Sequence, residues 1–263
     1  MELGIEEKVF MVAASSKGLG YGIARELAKN GAIVCIASRT KPDIEKAAES
    51  LRKETGATIH ASVFDATSAE SIKNWIAEIE TSFERIDGLV VNAGGPPAGN
   101  FDDFTDDDWQ DAFNLTLMSA VRLIRGVLPS MRAGGGGSIL TVTSMSVKEP
   151  VNRLLLSNVL RSGVTSLVKS LSNELAVENI RLNNLLPGRI DTDRVKSLDK
   201  NNAEKSGISI SEIKRKNEST IPIGRYGNID EFGKAGAFLL SPAASYITGV
   251  SLAVDGGIIK NVW

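Results

Sequence analysis

Short apolar, β-branched runs alternate along the chain with longer segments whose apolar residues recur at helical spacing. Lys8–Ala13, Ile33–Ala37, Thr58–Val63, Gly88–Val91, Ser138–Thr143, Ile180–Leu185 and Val250–Val254 read as strands. Their runs are continuous rather than alternating, the pattern of strands covered on both faces. Between them, Leu19–Asn30 places Ile23, Leu27 and Ala28 on one helical face, and Gly31 closes that helix. Asp43–Glu54, Ala69–Phe83, about Asp106 to Met131, Asn152–Val177 and Ile229–Leu240 read as further helices. Thr105 is the expected N-cap of the fourth, with Asp106–Asp108 complementing its dipole. Gly134–Gly137 reads as a loop. The order predicts βαβ units wound into a doubly wound, mostly parallel α/β sheet with helices on both faces. Its ligand crevice then lies at the carboxyl ends of the strands. The polar stretch Asp193–Ser219 interrupts the pattern and reads as a lid or substrate loop (193–222). Residues 1–263 therefore read as one domain.

Composition narrows the function classes. A net charge of −2 gives no reason to expect nucleic acid or an anionic membrane surface as partner. One cysteine (Cys35) and one histidine (His60) exclude a Cys/His metal cluster and a histidine-based triad, so no metal site is expected. Cys35 lies in an apolar run and reads as a small buried hydrophobe; His60 reads as packed or surface-exposed rather than as a base. Trp75 and Trp109 read as ordinary core or interface aromatics. The acidic residues of 102–108 read as a helix N-terminus rather than a metal site. Met1–Phe10 carries Glu2, Glu6, Glu7 and Lys8 without a long apolar core, and no segment approaches ~20 consecutive apolar residues. A cytoplasmic protein is expected.

The candidate chemistry begins after the first strand, with Ala13-Ala14-Ser15-Ser16-Lys17-Gly18-Leu19-Gly20 opening a helix. Glycines there let a pyrophosphate approach the backbone and rest on the helix N-terminus. The second strand ends Ala37-Ser38-Arg39-Thr40. A site selective for NAD usually carries an acid at this place for the ribose hydroxyls. A guanidinium instead suits a 2′-phosphate, so Arg39, aided by Lys17, favours NADP(H) over NAD(H).

The Gly-rich segment resembles the Thr-Gly-x-x-x-Gly-x-Gly fingerprint of the short-chain dehydrogenases/reductases, with Ala13 and Ala14 where that pattern has Thr and its first Gly. The resemblance continues through Phe64-Asp65-Ala66, Asn92-Ala93-Gly94, Asn114, Ser144, Pro187-Gly188 and the ending Ile247-Thr248-Gly249…Asp255-Gly256-Gly257, and so spans the whole chain. It implies a single-domain Rossmann fold with seven strands in the order 3-2-1-4-5-6-7. By the same resemblance, Ser15 to Tyr21 form the pyrophosphate loop, with Ser38, Arg39 and Thr40 around the ribose phosphate. Asp65, Ala66, Asn92, Ala93 and Gly94 surround the adenosine, and Pro187, Gly188, Ile190 and Thr192 hold the nicotinamide amide. Arg161 is implied for the nicotinamide ribose. A homotetramer with the tail ending in Trp263 at a subunit interface is also implied.

The family's chemistry needs a phenol and a nearby ammonium, a serine on the substrate oxygen and an asparagine supporting a water relay. The tyrosine should fall thirteen residues after Ser144, and the lysine four later; Ser157 and Arg161 stand there. The chain's tyrosines are Tyr21, Tyr226 and Tyr246, of which Tyr226 is the only remote candidate for reaching a substrate. A serine hydroxyl is a far weaker acid than a phenol, and arginine does not shuttle protons. Two readings follow. In one, the protein is an NADP-dependent oxidoreductase acting on a carbonyl or an activated alkene, with Asn114, Ser144, Ser157 and Arg161 as catalytic candidates. The proton then comes from Ser144, Ser146, Ser157 or a relayed water, with Lys148 or Arg153 near an oxyanion. The motifs Asn92 to Pro96, Leu156-Ser157-Asn158 and Pro187 to Arg194 resemble divergent 3-oxoacyl-carrier-protein reductase-like members, which implies an acyl-thioester-like substrate. In the other reading the protein is a non-catalytic NADP(H)-binding sensor or partner subunit. A cofactor-free lyase of the halohydrin dehalogenase kind is set aside, because those resemble the reverse pattern, a retained tyrosine and a blocked Gly-rich loop.

Overall fold

The computed structural model describes residues 2–262; the expected interface residue Trp263 lies outside them. The chain runs β1 (Val9–Ala13), α1 (Gly18–Lys29), β2 (Ile33–Ser38), α2 (Lys41–Thr55), β3 (Ile59–Val63), α3 (Ala69–Phe83) and β4 (Gly88–Val91). It continues with α4 (Asp106–Phe113), a π-helical turn (Asn114–Met118), α5 (Ser119–Ala133), β5 (Gly137–Val142), α6 (Leu155–Leu175) and β6 (Ile180–Pro187). Then come α7 (Asp193–Ser206), α8 (Ile210–Ser219), α9 (Ile229–Leu240) and β7 (Ser251–Val254).

The strands form one sheet in the order β3-β2-β1-β4-β5-β6-β7. Every pairing is parallel, where a mostly parallel sheet was expected. The continuous apolar runs have their reason in the two layers. On β1, Phe10 and Val12 enter a core with Ile23, Leu27, Ile44 and Phe232 from α1, α2 and α9. Met11 and Ala13 point the other way, into a core with Trp75, Leu123 and Val164 from α3, α5 and α6. Because β1 lies between β2 and β4, the direction of winding reverses there and opens a crevice at the carboxyl ends of β1 and β4.

Two glycines fix how α9 closes over α1. A Cβ on Gly22 would lie 2.4 Å from the Ile229 carbonyl oxygen, and one on Gly233 would lie 2.3 Å from the Gly22 carbonyl oxygen. Both obstacles are backbone, which yields only if the helices move apart. Gly233→Ala is expected to cost about 1–3 kcal/mol through overpacking, seen as a lower Tm with unchanged secondary structure by circular dichroism.

Three elements depart from the sequence expectation. The expected helix 106–131 contains the π-helical turn at Asn114, and Ser119 Oγ donates to the Leu115 carbonyl at 2.6 Å. Its backbone angles stay right-handed throughout, so hydrophobic spacing alone does not reveal the extra residue. The helix expected from Asn152 starts only at Leu155, since Arg153 has φ +63°, outside the helical range. The expected lid loop 193–222 is mostly helical. Thr192 and Ser209 cap α7 and α8, accepting from Val195 and Glu212, and Gly207 (φ +65°) ends α7. These segments are polar almost all round, which hid their helical period.

Candidate active site

β1 ends at Ala13, and the chain turns through Ala14 and Gly18, both with positive φ (+48° and +65°), before entering α1. Asn92, just beyond β4, ties this turn down: its Nδ2 donates to the Ala14 carbonyl at 3.1 Å and to that of Ala13 at 3.3 Å. Gly20 must be glycine here, since a Cβ would lie 2.8 Å from the Ala14 oxygen and 2.9 Å from Asn92 Nδ2. Lys17 at the N-cap makes no side-chain capping bond, and the first turn holds no acid. The open N–H groups and the dipole of α1 therefore face the crevice, and the cradle fits a pyrophosphate.

Ser15 is a correction. Its hydroxyl donates to the Val12 carbonyl at 2.6 Å, its N–H to that of Ala37 at 3.1 Å, and it is fully buried. It ties β1 to β2 and has no group left for a cofactor; Ser16 is half-buried at the turn. Ala14 pays for its methyl, because a left-handed L-residue costs ~1–2 kcal/mol. Ala14→Gly is expected to raise stability by about 0.5–1 kcal/mol after the added chain entropy of glycine, read as a higher denaturation midpoint with dinucleotide affinity kept.

Beyond β2, Arg39 and Thr40 are exposed, and Arg39 has no carboxylate within ion-pair distance among the described residues. The Ser38 hydroxyl beside it is buried without a partner, and Thr40 at the start of α2 makes no capping bond. This group of unspent donors fits a phosphate ester. Lys17, expected to share that role, instead pairs with Asp193 at the start of α7, 3.0 Å away. Asp65 folds back on its own loop: Oδ1 accepts from the N–H and the hydroxyl of Thr67 at 2.9 and 2.8 Å, leaving Oδ2 free. Ala66 is buried, Ala93 packs on the core, and a Cβ on Gly94 would meet nothing within 4 Å. Across the crevice, Gly188 passes within 2.5 Å of Asp255 Cα as measured from its missing Cβ, just after Pro187 ends β6. Ile190 is buried, and Thr192 stands beside Gly18 with its Cγ2 3.7 Å from the position of a Gly18 Cβ.

The substrate end is built around Arg161 on α6. Its Nη1 donates to the carbonyls of Val142 and Thr143 at 2.8 and 3.1 Å, which closes the end of β5, and its Nε donates to Ser157 Oγ at 3.2 Å. Desolvation, with Arg194 adding repulsion, lowers its pKa to about 10, so the guanidinium stays charged at neutral pH. Ser157, one turn before Arg161, is nearly buried. Ser144 accepts from the Ser146 N–H at 3.1 Å, which shapes the turn after β5, while the Ser146 hydroxyl is buried and unpaired. Between the π-helical turn and the end of β5 lies a cavity of about 10 Å³, the room of a single water. Thr116, Ser119, Thr141, Thr143 and Arg161 line it, and the hydroxyls of Thr116 and Thr143 have no protein partner. Asn114 opens that turn.

None of the three tyrosines replaces the missing phenol. Tyr21 bonds Ser50 on α2, and Tyr246 is fully exposed. Tyr226, the remote candidate, donates to the buried Asp199 at 2.8 Å and accepts from Asn217 at 2.9 Å. Burial pushes its pKa up to about 12. It anchors α7 and α8 rather than serving as a proton donor.

Sequence reasoning missed two positions. Asn158 exchanges two hydrogen bonds with the backbone of Val151, holding the loop before α6. Arg194 donates from Nη2 to the Pro96 carbonyl at 3.1 Å, across the mouth of the cleft. Both stand in quoted motifs, but only the fold brings their partners within reach. Cys35 is buried with its pKa raised to about 12 by desolvation and is no nucleophile. His60 pairs with Glu78 at 2.6 Å, away from this site.

Residues 13–259 match the protein family described as Enoyl-(Acyl carrier protein) reductase. The chain belongs to the short-chain dehydrogenase/reductase family. It is 34% identical over 254 residues to the pig (Sus scrofa) dehydrogenase/reductase SDR family member 4, covering 96% of this chain and 88% of that protein. Among solved structures it is similar to L-sorbose reductase from Gluconobacter frateurii, complexed with NADPH and L-sorbose: TM-score 0.95, 31% identity and 100% of both chains. It is also similar to a 7α-hydroxysteroid dehydrogenase complexed with NADH and 7-oxoglycochenodeoxycholic acid, with TM-score 0.89, 29% identity, and 98% of this chain and 97% of that one covered. The protein is thus a short-chain dehydrogenase/reductase-type oxidoreductase whose structural neighbours bind both nicotinamide dinucleotides. Among the described residues, no helix is long and apolar enough to cross a membrane.

Proposed function

We propose that the protein is an NADP(H)-dependent reductase of a carbonyl or activated alkene, in which the Ser157–Arg161 pair replaces the family's phenol and ammonium. The observation that carries this reading is the 3.2 Å bond from Arg161 Nε to Ser157 Oγ. It occupies a serine lone pair with a charged donor, polarises the hydroxyl, and leaves its hydrogen free to be donated. In this reading Ser157 stabilises the oxygen on which negative charge develops, and Ser144 orients it. Water near Asn114 delivers the proton, a task for which serine is too weak an acid. The dinucleotide, when bound, supplies or takes the hydride. Arg39 and Ser38 hold its 2′-phosphate, the α1 N-terminus its pyrophosphate, and Asp65 and Asn92 border the adenosine; Thr192 lies nearest the carboxamide. A 3-oxoacyl thioester-like substrate remains the favoured class. A homotetramer is also proposed, supported by exposed Val159 on α6 and Leu252 on edge strand β7.

The second reading, a dinucleotide sensor or partner subunit, draws on the absence of a free phenol near Ser157. Paired fluorescence titrations with NADPH and NADH test the cofactor assignment, and a screen of 3-oxoacyl and enoyl thioesters for NADPH oxidation tests turnover. Tighter NADPH binding with turnover is expected. Binding without turnover on any substrate favours the sensor, and no binding of either dinucleotide overturns both readings.

A further inference from the structure

Two guanidinium groups meet at the substrate end of the cleft with no carboxylate to balance them. Arg161 is fixed to the end of β5 through the Val142 and Thr143 carbonyls, and Arg194 to the loop after β4 through the Pro96 carbonyl. β4 and β5 are neighbours, with Val91 paired to Thr141 at their carboxyl ends. Gly95 lets the second guanidinium lie close, since a Cβ there would stand 3.1 Å from Arg194 Nη2. The acids nearby are spoken for: Asp191 pairs with Lys196 at 3.3 Å, Asp193 with Lys17 at 3.0 Å, and Asp199 with Arg189 at 3.5 Å and with Tyr226. Neither Arg161 nor Arg194 has a salt-bridge partner among the described residues.

The donors are also unspent. A guanidinium offers five N–H groups. Arg161 uses its Nε and Nη1 on protein oxygens, and no bond is made by its Nη2. Arg194 makes one bond, from Nη2. The charge of Arg194 reaches Arg161 strongly enough to lower the latter's pKa. Two like charges held close in a cleft repel, and a shared anion removes that cost while filling planar, forked donor sets.

We infer that the substrate carries an oxyanion group, carboxylate or phosphate, which Arg194 binds together with the free edge of Arg161 beside the reacting carbon. This inference rests on the reductase reading and names its substrate class. Arg194 is a specificity residue in it, on the substrate side rather than the cofactor side.

The test starts from full-length protein whose NADPH binding has been established by fluorescence. NADPH oxidation and the perturbation of bound-NADPH fluorescence are then compared for matched pairs: acetoacetate against methyl acetoacetate, and dihydroxyacetone phosphate against dihydroxyacetone. At least one anion is expected to exceed its neutral partner tenfold or more in kcat/KM or in affinity, and which pair does so separates carboxylate from phosphate. R194M is expected to bring that ratio within about twofold while NADPH affinity moves less than twofold, and R194K to keep part of the preference. Equal response to the charged and neutral members of both pairs overturns the inference, as does a preference that R194M leaves intact. Failure to bind NADPH would instead overturn the reductase reading itself.

Discussion

Replacing Ser157 by alanine is expected to lower kcat about 10²–10³-fold, the effect of deleting one donor aimed at a developing oxyanion, with NADPH affinity within twofold of the parent. The asymmetry follows from position. Ser157 sits on the substrate side of α6 and accepts from Arg161 Nε, which keeps both of its carbonyl partners in the variant. The turn geometry and the end of β5 therefore survive, and what disappears is a polarised hydroxyl. Steady-state kinetics on the best substrate of the thioester screen, with a parallel NADPH titration, separates the two effects. A fall in affinity equal to the fall in rate would return Ser157 to a structural role. The pH profile carries independent information. Arg161 titrates near pH 10 because burial disfavours its charge. Below that value the pair is cationic and working; above it the proton leaves, Ser157 loses its polariser, and the rate falls. The profile is therefore expected to stay flat on its alkaline side to about pH 9, and S157A to flatten the limb beyond.

Arg39→Asp is the second large effect expected. In the parent, Arg39 has no ion-pair partner among the described residues and stands beside the unpartnered Ser38 hydroxyl. Loss of a forked, charge-assisted contact to a phosphate costs ~1.5–3 kcal/mol, and the new carboxylate adds repulsion. NADPH should bind on the order of 100-fold more weakly. NADH, which lacks the 2′-phosphate, should change by only a few fold or improve, since an acid at this place can accept from the ribose hydroxyls. Paired titrations read the ratio directly, and an unchanged preference would remove Arg39 from the cofactor argument. Lys17 is a poorer target for the same purpose, because its charge is already shared with Asp193.

The sheet was legible because its physics is local. A strand buried on both faces must be apolar at every position, and β1 and β4 show this without ambiguity. The crossover helices show their buried stripe at helical spacing, and Thr105 announces α4. What escaped depends on partners far away in sequence. Helices α7 and α8 bury little, so their apolar period is faint, although Thr192, Gly207 and Ser209 mark their ends. The π-helical turn leaves backbone angles and spacing almost untouched. At the site, Ser15 has the residue type and place of a cofactor ligand, yet its hydroxyl was already committed to Val12. Tyr226 was a candidate by elimination, and only the fold shows Asp199 holding it. Arg161 could be placed by register alone, but the carbonyls it closes, and the second guanidinium across from it, needed β4 and β5 side by side.

The contact between Gly22 and Gly233 sets an order of events during synthesis. The first three strands and two helices emerge early and contain the whole phosphate cradle. The outer side of α1, however, stays bare until α9 leaves the ribosome more than two hundred residues later. A nascent chain arrested after α8 would hold the Gly-rich turn, Arg39, Ser157 and Arg161, and still present the apolar flank of its cofactor helix to the solvent. Such a chain is a natural client for chaperones, and completion of the last helix, rather than of the site, is what releases it.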